Sequence, residues 1–288
     1  MKKIISLLMS LVFLMSCAMS VSASDGDVGL SSIGTQNNGI YLDAKSKQSF
    51  AEEMDRVYEV ALEKNEIFEV SNDIVEQLMV RAAFADGDEK IALLEQLEAY
   101  GIYQYNENIN AELYSDSSDV TINAPNIFYS ASANTWTVSC QGSWKNSNWN
   151  TGETGNVGGY DAFGVAYTRA SGYNTSVVGS SAYIADQNGN SMKKTSNRSD
   201  GNGALGFGFQ LQDYVSGTRY IGYRWYGSCT YGSNFANFSG TATAYYAHTY
   251  KTAYINNITF TGGLQPGVTI GIANQSNAFK VYSTDTRF

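Results

Sequence analysis

The chain has 288 residues, a formal net charge of −9, 21 tyrosines, 28 glycines, three cysteines and a single histidine. An acidic balance with no dense basic cluster argues against a nucleic-acid partner. One histidine excludes a metal site built on several imidazoles and leaves His248 as the sole imidazole base for a Ser-His-Asp hydrolase, for which no G-x-S-x-G elbow exists.

Lys2 and Lys3, the apolar run Ile4 to Leu14 and the small residues Val21-Ser22-Ala23 read as a secretory signal peptide over residues 1–23. The chain is therefore expected to be secreted. "LMSC", ending at Cys17, offers a second reading as a lipobox and a cell-surface lipoprotein. No later run approaches the ~20 apolar residues of a membrane helix. Residues 24–46 read as a flexible N-terminal segment.

Residues 41–113 hold 17 acids against 6 Lys and Arg, a balance of −11, whereas residues 115–288 hold 8 acids against 10 basic residues. This shift, with a jump in Gly, Tyr, Ser, Thr and Asn, divides an acidic helical region (47–114) from a strand-rich region (115–288). In the first, Ser49 and Glu52 have capping-box spacing, and Phe50, Met54, Val57 and Ala61 form one helical stripe. A second helix is expected over Asn72 to Phe84, with Ile74, Val75, Leu78 and Met79 on one side. A third opens at Asp86 with Glu89 completing the box. It presents Ile91, Leu94 and Leu97, and stops at Gly101 with Ile102 beyond the cap.

From Ser115 onward the period is two. Trp136, Val138 and Cys140 share one side of a strand, as do Phe163, Val165 and Tyr167. Leu205, Phe207, Phe209 and Leu211 repeat the pattern, followed by Ile221, Tyr223, Trp225 and Cys229, and by Val268, Ile270 and Ile272. "DQNGN" (Asp186 to Asn190) is a hairpin turn. The expected fold class is α+β: a small helical region followed by an antiparallel, jelly-roll-like β-sandwich. Export, an even count once Cys17 is removed, and inward parity predict a disulfide between Cys140 and Cys229, against two buried thiols as the alternative. "FSGTATAYYAHTYKTAYINNITF" (Phe238 to Phe260) is too long for one strand. It should turn near Tyr250 to Thr252 or at Asn256-Asn257, with His248 on the aromatic face between Tyr246 and Tyr250 as a hydrogen-bonded structural residue.

Glu153, in a glycine-rich loop, and Asp161 are the one carboxylate pair worth weighing for glycoside hydrolysis. No cofactor and no metal are expected, and the chain reads as a non-enzyme. Parity instead places Tyr220, Arg224 and Tyr226 outward, with Trp149 and Tyr231 nearby. Tyr, Trp and Arg amid Ser, Gly and Asn are the composition of recognition surfaces, so these five residues are the expected binding face. The partner would be an extracellular protein or glycoprotein, with a glycan as the lesser alternative and a membrane only if the strands form a pore.

The layout of signal peptide, "FADGDEKIALLEQLEAYGIYQY" and a Tyr/Gly/Thr-rich region containing "AHTYKTAYINNITF" resembles secreted β-rich proteins of Gram-positive bacteria. Among these it is similar to the immunoglobulin-binding B-cell superantigens of gut bacteria. The resemblance implies an antibody variable domain as partner and transfers no site residues.

Overall fold

The computed structural model describes residues 44–105, 119–149, 152, 154–171, 176–190, 192–198, 203–261 and 267–288. The signal-peptide and lipobox readings, most of the 24–46 segment, the boundary at Ser115 and Glu153 lie outside the described residues.

Three helices open the described chain: α1 (Ala44–Glu63), α2 (Asn72–Phe84) and α3 (Gly87–Glu98). The stripe predicted on α1 faces inward. Met54 and Ala61 are buried, and Phe50 and Val57 pack on the core. Ser49 lies inside this helix rather than at its cap. The residues before it are helix-compatible, and one of them, Lys47, anchors the turn: its side chain is fully buried, donates to the Phe238 carbonyl and lies over the rings of Phe235 and Phe288. α2 spans the predicted residues, with Leu78 and Met79 buried. On α3, Leu93 and Leu97 are buried while Ile91 is 53% exposed. The face is set by docking: Leu93 and Leu97 join Leu78, Met79, Ile102 and Phe128 in one cluster. Gly101 takes φ +73°, its N–H donates to the Glu98 carbonyl, and Ile102 packs in the same cluster as Leu97, so the predicted stop is the observed one.

The strands are antiparallel throughout. The larger sheet has the order β1 (Ile102–Gln104), β3 (Asn126–Ser130), β4 (Thr135–Trp144), β12 (Arg224–Gly232), β7 (Val177–Ala185), β8 (Lys193–Thr195), with β2 (Val120–Ile122) also on β4. The second has the order β16 (Ala278–Arg287), β13 (Ser239–Thr249), β6 (Asp161–Ser171), β9 (Gly206–Leu211). The inward faces meet in a core that includes Val138, Trp225 and Ile184 from one sheet and Phe163, Val165, Phe207, Ala244 and Tyr246 from the other. The alternations predicted for β4, β6 and β9 point their apolar sets inward, as do Trp225 and Cys229 of β12, as a two-sheet packing requires. The architecture is α+β and sandwich-like.

Two further layers cover the outer faces. α2 and α3 lie over part of the larger sheet. The hairpin β14 (Tyr254–Thr261) and β15 (Gly267–Ala273) covers the second, burying Ile258, Ile270 and Ile272 against Ala162, Tyr245 and Ala247. The long stretch from Phe238 therefore does turn, between β13 and β14, with Lys251 at φ +53° and the Ala253 N–H donating to the Tyr250 carbonyl. "DQNGN" is the β7–β8 turn: the Asp186 carboxylate accepts the N–H groups of Asn188 and Asn190, and Gly189 takes φ +75°. A small sheet, β5 (Gly155–Asn156), β10 (Tyr214–Ser216) and β11 (Arg219–Ile221), completes the set.

Cys140 and Cys229 are free thiols, not a disulfide. Both face the core, as parity predicted, but across the β4–β12 ladder Cys140 pairs with Gly227 and Cys229 with Val138. Diagonal neighbours sit about 7–8 Å apart, beyond the usual Cα span of a disulfide.

Candidate functional site

Four of the five residues expected to form an outward binding face are buried. Trp149 stacks on Tyr220 with centroids 4.8 Å apart and planes 8° from parallel. The Tyr231 hydroxyl meets that of Tyr167 at 2.9 Å and donates to the Gly203 carbonyl. Tyr226 is on the outer face, as predicted, but is covered to 1% exposure. Arg224 lies with its guanidinium 5.4 Å from the centre of the Phe84 ring of α2. Parity failed for Tyr220 because residues 219–232 are not one strand: Gly222 breaks them into β11 and β12, which belong to different sheets.

The outer face of the larger sheet is a field of hydroxyls. Thr137 and Thr230 are directly opposite, Oγ1 to Oγ1 at 3.0 Å, and Ser181 and Ser228 at 3.2 Å. Above it, the segment after α1 and the start of α2 leave a groove of about 710 Å³. Its floor includes Thr137, Thr230, Ser181, Ser228 and Tyr226, and its rim includes Leu62, Phe68 and Val178. These three rim side chains are 53%, 60% and 59% exposed. The charged residues lining the groove are Glu69 and Glu76, with no Lys or Arg among the described lining. Glu76 is held by Lys194 at 2.7 Å. Burial raises its carboxyl, but hydrogen bonds from Lys194, Ser181 and Tyr183 outweigh this and leave it below the usual range.

A second constellation lies inside the sandwich. Asp161 at the start of β6, Asp213 just before β10 and His248 near the end of β13 converge. His248 Nδ1 is 2.7 Å from Asp161 Oδ2 and 3.8 Å from Asp213 Oδ2. The Tyr246 hydroxyl donates to Asp161 Oδ2 at 2.8 Å, the Thr249 N–H to Asp161 Oδ1 at 3.0 Å, and the Tyr220 hydroxyl to Asp213 Oδ2 at 2.5 Å. All three members are buried. Burial, and then the charge of Asp161, push the Asp213 carboxyl well above the ordinary range. His248 is thus a hydrogen-bonded core residue, as its place between Tyr246 and Tyr250 predicted. Its partner carboxylates come from distant segments, and nothing in the sequence around Asp213, which is flanked by Gln212 and Tyr214, singles it out.

No protein-family model matches the chain, and no curated protein matches it either.

Proposed function

We propose that this is an extracellular binding protein that recognises a polypeptide partner through the groove between its helical layer and the hydroxyl face of the larger sheet. The observation that carries this reading is the clustering of exposed Leu62, Phe68 and Val178 on the rim of one cavity. Exposed apolar side chains scattered singly mean little, whereas a set gathered around a concave polar floor has the anatomy of a recognition site. The floor offers hydroxyls that donate and accept, which suits backbone amides of a partner. Glu69 and Glu76 favour a neutral or basic segment over an anionic one. The likeness in layout to B-cell superantigens makes an antibody variable domain the first partner to try.

The test is surface plasmon resonance of the mature chain against purified polyclonal immunoglobulin, with Phe68→Ser and Val178→Lys variants alongside. Saturable binding that both variants weaken at least ~10-fold, with unchanged melting temperature, is the expected result; a rim anchor of that kind contributes more than about 1 kcal/mol. Binding untouched by either substitution moves recognition off this groove.

A further inference from the structure

We propose that Asp161, Asp213 and His248 form an internal divalent-cation site, with Zn²⁺ the best match to one imidazole nitrogen and two carboxylate oxygens. The three donor atoms lie within 4.8 Å of one another and come from three separate segments of the chain. Nδ1 sits 2.7 Å and 3.8 Å from the two carboxylate oxygens. These values bracket the roughly 3.3 Å edge of a tetrahedron with bonds of about 2.0–2.1 Å. Small side-chain rotations suffice to place an ion among them.

Two features of the surroundings favour an ion over a purely hydrogen-bonded node. The first is charge. Two carboxylates face one imidazole in a dry core, where both can be ionised together only if a cation joins them. The lysine that acts on Asp213, Lys193, directs its Nζ to the Gln212 carbonyl at 2.7 Å and over the Tyr214 ring. The second is the far side of the imidazole. His248 Nε2 is buried and has no hydrogen-bond partner among the described residues. The ring lies T-shaped to Tyr250 at 4.3 Å and to Trp144 at 5.0 Å. With the proton on Nδ1 and the imidazole neutral, Nε2 is a bare lone pair among aromatic rings. An ion on Nδ1 moves the proton to Nε2, where an N–H among aromatic rings is the better tolerated group. The Tyr220 and Tyr246 hydroxyls already donate to the carboxylates and would orient them as supporting residues do around bound metals. Because the site is closed, the ion would enter as the chain folds.

The experiment refolds the full chain from denaturant and EDTA, with and without one equivalent of ZnCl₂, and reads native mass spectrometry and thermal melting. The wild type should retain one Zn²⁺ per chain and melt higher with it. Asp213→Asn replaces a ligand that can become anionic with a neutral amide of the same shape, so it should fold. It should lose more than the ~10–100-fold in affinity that removing a supporting residue costs. A wild type that refolds without retaining an ion and melts identically in both conditions overturns the proposal. So does an Asp213→Asn variant that holds Zn²⁺ as tightly as the wild type. In a parallel arm with CaCl₂, preference for Ca²⁺ over Zn²⁺ overturns the assignment of the imidazole as a ligand.

Discussion

Trp225 of β12 and Tyr246 of β13 stack across the sandwich, with ring centroids 3.9 Å apart and planes 10° from parallel. The contact joins the two sheets, and the same Tyr246 carries its hydroxyl to Asp161. An apolar clasp and a buried polar node are thereby tied through one side chain. Trp225→Ala should cost about 3–5 kcal/mol as a cavity opens between the sheets. Tyr246→Phe keeps the stack and removes one donor to a buried carboxylate, which should cost about 1–3 kcal/mol. Urea unfolding at pH 7 measures both, and a Tyr246→Phe variant as stable as the wild type would mean that the ring, not the hydroxyl, accounts for Tyr246.

Asp213 gives the ion-free protein a defined pH dependence. Its carboxyl is raised in the folded state, whereas in the unfolded chain it titrates near 3.9. Between those values the native state holds a proton that the unfolded state has released. Stability from this group is therefore complete below about pH 4 and is lost as pH rises toward the folded value. In chelator, Asp213→Asn should show a shallower decline in urea midpoint than the wild type between pH 5 and pH 9. Parallel curves would remove Asp213 as the source.

The glycines of the second sheet are spacers. A Cβ on Gly164 would lie 2.0 Å from the Phe207 carbonyl oxygen, a backbone atom with no freedom to retreat. On Gly179, in β7 of the larger sheet, the nearest atom is a Thr230 carbon at 3.9 Å. Gly164→Ala should destabilise by about 3 kcal/mol or more or prevent folding, as overpacking does at its severe end. Gly179→Ala should stay within about 0.5 kcal/mol of wild type. Melting temperatures of the pair decide it, and a tolerated Gly164→Ala would show that β6 and β9 can part locally.

The thiols make a chemical prediction. Burial pushes Cys140 up to about 12 and Cys229 to about 11, so neither offers thiolate near neutrality. Both should resist a disulfide reagent such as DTNB in the native protein and react once it is unfolded. Intact mass without reductant, matching two reduced cysteines at these positions, is the companion result. A bridged pair would require the β4–β12 register to shift.

Much of the fold was legible because it rests on local rules. Period-two alternation identified the inward faces of β4, β6, β9 and β12. Asp186 and Gly189 marked the β7–β8 turn, and the length of the run from Phe238 forced the bend at Lys251. The binding face was misread because alternation says which side a residue takes, not what later covers it. Tyr226 was on the outer side as predicted and lies beneath the helical layer. Tyr220 obeyed no common parity with Tyr226 because Gly222 separates their strands. Asp161 and His248 each drew attention alone, but their meeting with Asp213 depends on how three distant segments close together. No spacing encodes that.

All four tryptophans of the chain, Trp136, Trp144, Trp149 and Trp225, are buried, and none lines the groove. Intrinsic emission therefore has a narrow competence. It should be blue-shifted in the native protein and move to longer wavelength as the sandwich opens. A ligand seated above Thr137 and Thr230 would leave it unchanged, so unfolding and groove occupancy can be followed as separate optical channels once a reporter dye is placed near Phe68.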